Sequence, residues 1–363
     1  MTQRSWTMRP LTPDDRDGSL DLFRRVFGEE DASRAWWEWK YRQNPAGPAI
    51  GYVAEAGTKI VGQYVLFPHR FQCGGRPILA AHSADTMVDP EFQRQGIFRE
   101  LVRMTLPVAT SAGIDLVYFT PNGNSQPGFT SLPGYRDILP WAPVWLKPVS
   151  LAPLAAAIPG IGSKVYRPAS AMESALQKMV GIRHSQPADI HVIDAVPADR
   201  ALTAVAEHAA RRRTLAAVRD ARYFAWRYTS RPHRSYKAVV AFGGEEPVGY
   251  AVFSTLTVLG LLVGFVAELD VCSEDMAGVG RLLLSAAVER LRKSGAVAIS
   301  SFTMPDSYES RMLRQAQFLR CPRRLMPRPM FLGCLMLGQD ASVCEASSRT
   351  ESWYFSWGDH DVV

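Results

Sequence analysis

The sequence predicts an α/β fold with mixed sheets, used twice along one chain. Three observations carry that expectation. At 363 residues the chain is too long for one ordinary hydrophobic core and suits two domains. A stretch repeats without a gap: WKYRQNPAGPAIGYVAEAGTKIVGQYV at 39–65 lies over WRYTSRPHRSYKAVVAFGGEEPVGYAV at 226–252. Each copy then alternates strand-like and helix-like runs, the pattern of a mixed α/β sheet.

The elements follow in order. Trp39 meets Trp226, Tyr41 meets Tyr228 and Pro45 meets Pro232, where a helix ends in a Pro-led turn. Val53-Ala54 meets Val240-Ala241 and Val61-Gly62 meets Val248-Gly249, two strands joined by a Gly hairpin. Next, ADTMV (84–88) meets AELDV (267–271), a helix opening at Gly96 meets one at Gly278, and GIDLVYF (113–119) meets GAVAISSF (295–302). This divides the chain into an N-terminal domain at 1–145, a Pro/Ala-rich linker at 146–190, a C-terminal domain at 191–340 and a tail at 341–363. The linker run LAPLAAAIPGIG lacks the basic face that a membrane-surface helix needs.

Composition narrows the class. Hydrophobic residues make up 47% and charged residues 21%, as in soluble globular proteins. The net charge of +6 suits anionic small molecules and gives little support for nucleic acid. The longest run of like charge is Arg211–Arg213. Five scattered cysteines without a CxxC predict a reduced, cytoplasmic protein without structural zinc. The start MTQRSWTMRP is too polar for a signal peptide, and no apolar window is long enough to span a membrane.

The stretch VDPEFQRQGIF at 88–98 carries the chemistry. A strand ends at Val88, Asp89 and Pro90 turn the chain, and a helical pattern opens at Ile97 and Phe98. The first amides of a helix lack internal partners, and the helix dipole adds positive character there. Such an end binds phosphate. Gly96 would let an anion approach the backbone, and Gln93, Arg94 and Gln95 would add side-chain donors. Neither GxGxxG nor a P-loop GKS/GKT is present.

At these residues the chain resembles the GNAT superfamily of acyl-CoA-dependent N-acyltransferases. The family's cofactor motif, Arg/Gln-x-x-Gly-x-Gly/Ala after a strand ending Val-x-Pro, is matched by Gln93-Arg94-Gln95-Gly96-Ile97-Phe98 after Val88-Asp89-Pro90. Phe98 departs from the small residue of the pattern and is expected to turn into the core. GIDLVYFT and NSQPGFTSLPGY resemble the family's following strand and helix, and the likeness covers roughly residues 1–140. In the second copy Glu274 and Asp275 precede the glycines and would repel a diphosphate, so its cofactor loop is expected to be degenerate. Gln317 stands where the first copy has Gly134. The whole resembles tandem GNAT proteins of the mycothiol synthase type and N-acyltransferases of nucleotide-linked amino sugars.

The resemblance implies acetyl-CoA or another acyl-CoA as co-substrate and a small primary amine as acceptor, with no nucleic-acid partner expected. It implies that the backbone near Met87 and Val88 meets the pantetheine arm and the thioester carbonyl, and that Asn124, or its neighbour Asn122, bonds the pantetheine. Two residues of the strand HSADTMV are candidate bases. Asp85 is an acid in an apolar strand, either used or held structurally. His82 lies where some relatives carry a catalytic Glu, and is either a base or a satisfied structural histidine. Period-two alternation would put His82, Ala84, Thr86 and Val88 on one face, and Ser83, Asp85 and Met87 on the other. The tyrosine that protonates the leaving thiolate in many relatives falls at Thr130, leaving Tyr135 and Tyr118 as substitutes. WWEWKY pairs Trp36 with Trp39 and Trp37 with Tyr41 on a helix; Trp36 and Trp37 are core residues or the lining of an acceptor pocket. His360 and Asp361 lie too far into the tail to be assigned as ligands. A second reading keeps the doubled fold but takes aminoacyl-tRNA, as Fem-type transferases do; 41 basic against 35 acidic residues offer it only a thin positive excess. A third is a non-catalytic binding protein.

Overall fold

The computed structural model describes residues 5–28, 32–150, 153, 189–323, 326 and 330–360. The linker run LAPLAAAIPGIG, apart from Pro153, and Asp361 lie outside them. Two mixed sheets form the framework. The first contains β1 (Thr7–Pro10), β2 (Ile50–Ala56), β3 (Lys59–Cys73), β4 (Arg76–Val88), β5 (Leu116–Phe119) and β6 (Arg136–Leu139). The second contains β7 (Val144–Pro148), β8 (Ile190–Ala195), β10 (Tyr236–Gly243), β11 (Glu246–Val258), β12 (Leu261–Val271), β13 (Ala298–Phe302) and β14 (Leu319–Arg320). β9 (Leu215–Ala217) and β15 (Leu332–Met336) join the first sheet, whose order is β1-β2-β3-β4-β5-β15-β6 with β9 on β3. The second runs β14-β7-β13-β12-β11-β10-β8.

The repeat is visible in local geometry. The hairpins β2–β3 and β10–β11 turn at Gly57 and Gly244, both at φ 62, a left-handed value that glycine adopts without a Cβ penalty. The helices α2 (Arg34–Trp37) and α6 (Ala221–Phe224) each continue into a wide π-turn, at Glu38–Arg42 and Ala225–Thr229. On the two-sheet framework pack α1 (Arg16–Phe27), α3 (Ile97–Ser111), α4 (Gln126–Thr130), α5 (Arg200–Ala210), α7 (Ala277–Lys293), α8 (Tyr308–Gln315) and α9 (Ala341–Ser348). Among the described residues no helix is long and apolar enough to cross a membrane.

The halves exchange strands, which the division made from sequence did not foresee. β7 includes residues 146–148, expected to begin the linker, and it pairs with β13 and β14 of the second sheet. β15, from the C-terminal half, inserts between β5 and β6 of the first. An apolar run specifies a strand but not the neighbour it will choose. The seam between halves is aromatic. Trp39 and Trp226 stack with ring centroids 4.9 Å apart, and each indole N–H donates to the other's backbone carbonyl at 2.8 and 3.0 Å. The tail from Trp353 to His360 is buried in this seam.

Candidate functional site

The site is built where β4 leaves the first sheet. β4 pairs with β5 from Ala80↔Leu116 to Ser83↔Phe119, and the paired register ends there. On its other side it stays with β3, but Val65 faces Ala84 and Gln63 faces Met87, so Asp85 and Thr86 share one position opposite Tyr64. This β-bulge breaks the expected alternation, because an extra residue reverses the face of everything after it. Met87 is consequently buried, and Val88 is half-buried. Asp85 adopts φ 49, unusual for a residue with a side chain.

Asp85 does not present a free carboxylate. Its Oδ1 accepts from Lys40 Nζ at 2.7 Å and its Oδ2 from Tyr41 Oη at 2.9 Å, all within buried surroundings. Both partners lie on the π-turn after α2. Gln63 Nε2 donates to Tyr41 Oη at 2.8 Å, and Ser19 Oγ donates to Gln63 Oε1 at 2.7 Å. The expectation of Asp85 as a base therefore meets an ion pair, and Lys40 and Tyr41 are residues that sequence reasoning passed over. The available signal was a lysine inside an aromatic run, aligned with Arg227 in the repeat.

His82 sits one residue before the last β4–β5 pair, buried, with Nε2 2.8 Å from the Oγ1 of Thr120. Its ring stacks on Tyr118 at 4.7 Å and lies 6.4 Å from both His69 and His360. Burial, and then the charges of Arg227, Arg219 and Lys40, push the His69 imidazole down to about 3, so it is neutral near pH 7. His360, set aside in the sequence, is thus brought beside His82 by the tail.

Below the bulge, Asp89 anchors the turn. It is buried, pairs with Arg25 at 2.8 Å and Lys59 at 2.9 Å, and its Oδ1 caps the amide of Glu91. Burial works against its charge, but Lys59, the Glu91 amide and Arg25 more than offset this and hold the carboxyl below its ordinary value. The loop residues Gln93, Arg94, Gln95 and Gly96 are exposed. Arg94 has φ 62 and Gly96 φ 83. A Cβ on Gly96 would meet nothing within 4 Å, so glycine is required here by its left-handed backbone rather than by crowding from the protein. The first bond of α3 runs from the Glu100 amide to the Gly96 carbonyl, leaving the amides of Ile97, Phe98 and Arg99 ahead of the helical ladder. Arg94 and Arg99 are exposed and make no ion pair among the described residues. These donors and cations fit a diphosphate. Phe98 turns inward as expected, edge-on to Phe129 and Tyr64, and a Cβ on Gly128 would touch its ring at 3.1 Å.

Other candidates separate. The Asn122 side chain accepts from the amides of Asn124 and Ser125 and serves the turn before α4; Asn124 is exposed. Thr130 is exposed and bonds its own helix at Pro127. Tyr118 Oη donates to the Asp359 carbonyl at 3.4 Å, and the Tyr135 hydroxyl is buried against Gly333 of β15. Trp37 stacks on Tyr41 at 4.7 Å, and Trp36 packs on Phe23 and Tyr41; both indoles are buried core. They offer no face to an acceptor.

The second half repeats the device and fills it. β12 bulges at Ala267, beside Glu268, and its pairing with β13 ends at Val266↔Ser301. Glu268 is buried and accepts from Arg219, Tyr228 at 2.8 Å, Tyr223 and Ser356. Arg219 also pairs with Asp359 at 2.6 Å, and Arg227 donates to the carbonyls of Gly358 and His360. The tail thus lies against the bulge, and the small cavity left there is lined by Val266, Phe302, Thr303, Tyr354 and Ser356. Glu274 of the loop pairs with Arg311. Gln317 takes φ 62, close to the φ 82 of Gly134, so the turn survives without its glycine.

Residues 7–137 match the family model of the acetyltransferase (GNAT) domain. No curated protein sequence matches the chain. Among solved structures, a GCN5-related N-acetyltransferase from Anabaena variabilis superposes with a TM-score of 0.62 at 12% identity, over 95% of this chain and 75% of that one. Saccharomyces cerevisiae N-myristoyltransferase with bound myristoyl-CoA gives 0.61 at 10% identity, over 92% and 83%. Likeness at this identity speaks for fold: two mixed α/β sheets, as in GNAT-fold proteins.

Proposed function

We propose that the chain is an acyl-CoA-dependent N-acyltransferase built from two GNAT-like halves, with its acyl-CoA site on the first. The carrying observation is the departure of β4 from β5 at the bulge, shortly before a helix whose opening has a left-handed glycine flanked by Arg94 and Arg99, which make no ion pair among the described residues. Acyl-CoA, when bound, supplies the thioester that the amine attacks. The α3 amides with Arg94, Arg99, Gln93 and Gln95 would hold the diphosphate, and β4 near Met87 and Val88, with Asn124, would hold the pantetheine arm. His82, hydrogen-bonded to Thr120, is the group best placed to take a proton from the amine, directly or through water. Asp85 keeps the bulge in shape. No tyrosine acid is needed, since a thiol of pKa about 8.5 leaves readily as thiolate.

The second half would not hold a second acyl-CoA, because its own tail lies against the corresponding bulge. The acceptor we favour is an amino sugar on a nucleoside diphosphate. Support comes from the mild positive charge and the seam between two halves; the tryptophans give none. The test is release of free thiol from acetyl-CoA and longer acyl-CoAs with a panel of amines. Nucleotide-linked amino sugars should exceed free amino sugars, aminoglycosides and peptides at least about tenfold, a difference of about 1.4 kcal/mol. A preference for another amine would replace the acceptor; no release with any amine and any acyl-CoA would count against the acyltransferase itself.

A further inference from the structure

The first-half bulge is held by a chain of buried polar groups that runs away from the cofactor loop into α1. Ser19 on α1 reaches Gln63 on β3, Gln63 reaches Tyr41, and Tyr41 and Lys40 both reach Asp85. Gln63 Nε2 also approaches the backbone carbonyl of Asp85 at 3.5 Å. The Lys40 ammonium lies 4.7 Å from the Phe67 ring centroid and 5.1 Å from that of Trp36. These contacts locate the charge from several sides, and they converge on the one β4 residue with φ 49. Left-handed backbone at a residue with a side chain persists where its surroundings over-determine it. An extra residue in a strand re-aims the groups that follow it. The residues that follow are Thr86, Met87 and Val88.

We propose that Lys40, acting through Asp85, is the positioning residue that fixes the β4 bulge and so aims the β4 backbone donors at the acyl carbonyl. This rests on the acyl-CoA reading given above. Lys40 and Asp85 touch neither reacting atom; their effect is exerted through the backbone. The wide π-turn matters because it lets two successive residues, Lys40 and Tyr41, reach the same carboxylate. The second half supports the assignment by difference. There Tyr228, the counterpart of Tyr41, still reaches the bulge acid Glu268, but Arg227, the counterpart of Lys40, bonds the tail backbone instead.

The test separates placement of the carbonyl from binding of the carrier. Acetyl-CoA labelled with carbon-13 at the thioester carbonyl is bound to the full chain, and its carbonyl stretch is read by isotope-edited infrared difference spectroscopy. A backbone donor on that oxygen lowers the frequency. Lys40→Met, and the double variant Lys40→Met/Asp85→Asn, are compared with wild type. The double variant removes both charges of the pair together, so neither is left facing the loss of the other. The expected result is that unlabelled CoA binds within about threefold of wild type, while at least half of the carbonyl shift is lost. A full shift in the folded double variant would overturn the positioning role and leave the acyltransferase reading standing. Failure of CoA to bind wild type would overturn that reading and this one together.

Discussion

At the residue scale, His82 is the base we propose. It is buried where β4 and β5 part, bonded to Thr120 and stacked on Tyr118. Asp85, its rival in the sequence, has its carboxylate committed to Lys40 and Tyr41. Replacing His82 by Gln should lower turnover by about a hundredfold, the usual scale of a lost general base. The low-pH limb of the rate profile should go with it, while affinity for CoA stays near wild type. If the limb persists unchanged in His82→Gln, the proton is taken elsewhere. The sequence singles out His82 in HSADTMV as a base or a structural histidine, and Gln93 to Gly96 as a candidate cradle. Lys40 is not singled out, because a lysine in a helix is ordinarily read as part of a solvated face. Here the π-turn and a buried acid 45 positions away bring it inside.

At the scale of elements, the ungapped repeat predicted the hairpins and the matching strands, and aligned Trp39 with Trp226 without foreseeing that the two stack. It could not disclose the bulge, since a period-two pattern presumes that no residue is extra. Nor could it disclose that β7 and β15 change sheets, because hydrophobicity marks a strand without naming its partner. The tail was the least legible element. WYFSWGDHDVV reads as aromatics followed by acids, and its role appears only when Glu268 and Arg219 close around it. Gly358 shows how closely: a Cβ there would collide with the Glu268 carboxylate and the Tyr228 hydroxyl. Gly358→Ala should therefore destabilise the chain by about 1–3 kcal/mol, as overpacking does. The check is the midpoint of chemical unfolding, with an unchanged midpoint denying that the tail is seated against the bulge.

Over the whole molecule, the two halves are alike in hairpin and bulge and unequal in what adjoins them. One bulge adjoins an exposed loop with Arg94 and a left-handed Gly96; the other adjoins the chain's own tail and a loop whose Glu274 is tied to Arg311. Shared strands and the Trp39–Trp226 stack join the halves across one seam. The measurement that bears most directly on a single acyl-CoA site in the first half is calorimetric titration of the full chain with CoA. Wild type should bind one equivalent, and Gly96→Glu, which sets a carboxylate against the diphosphate, should weaken binding at least about tenfold, or about 1.4 kcal/mol. Gly96→Ala serves as the control for backbone strain at φ 83. Two equivalent sites per chain, or undiminished binding in folded Gly96→Glu, would contradict it.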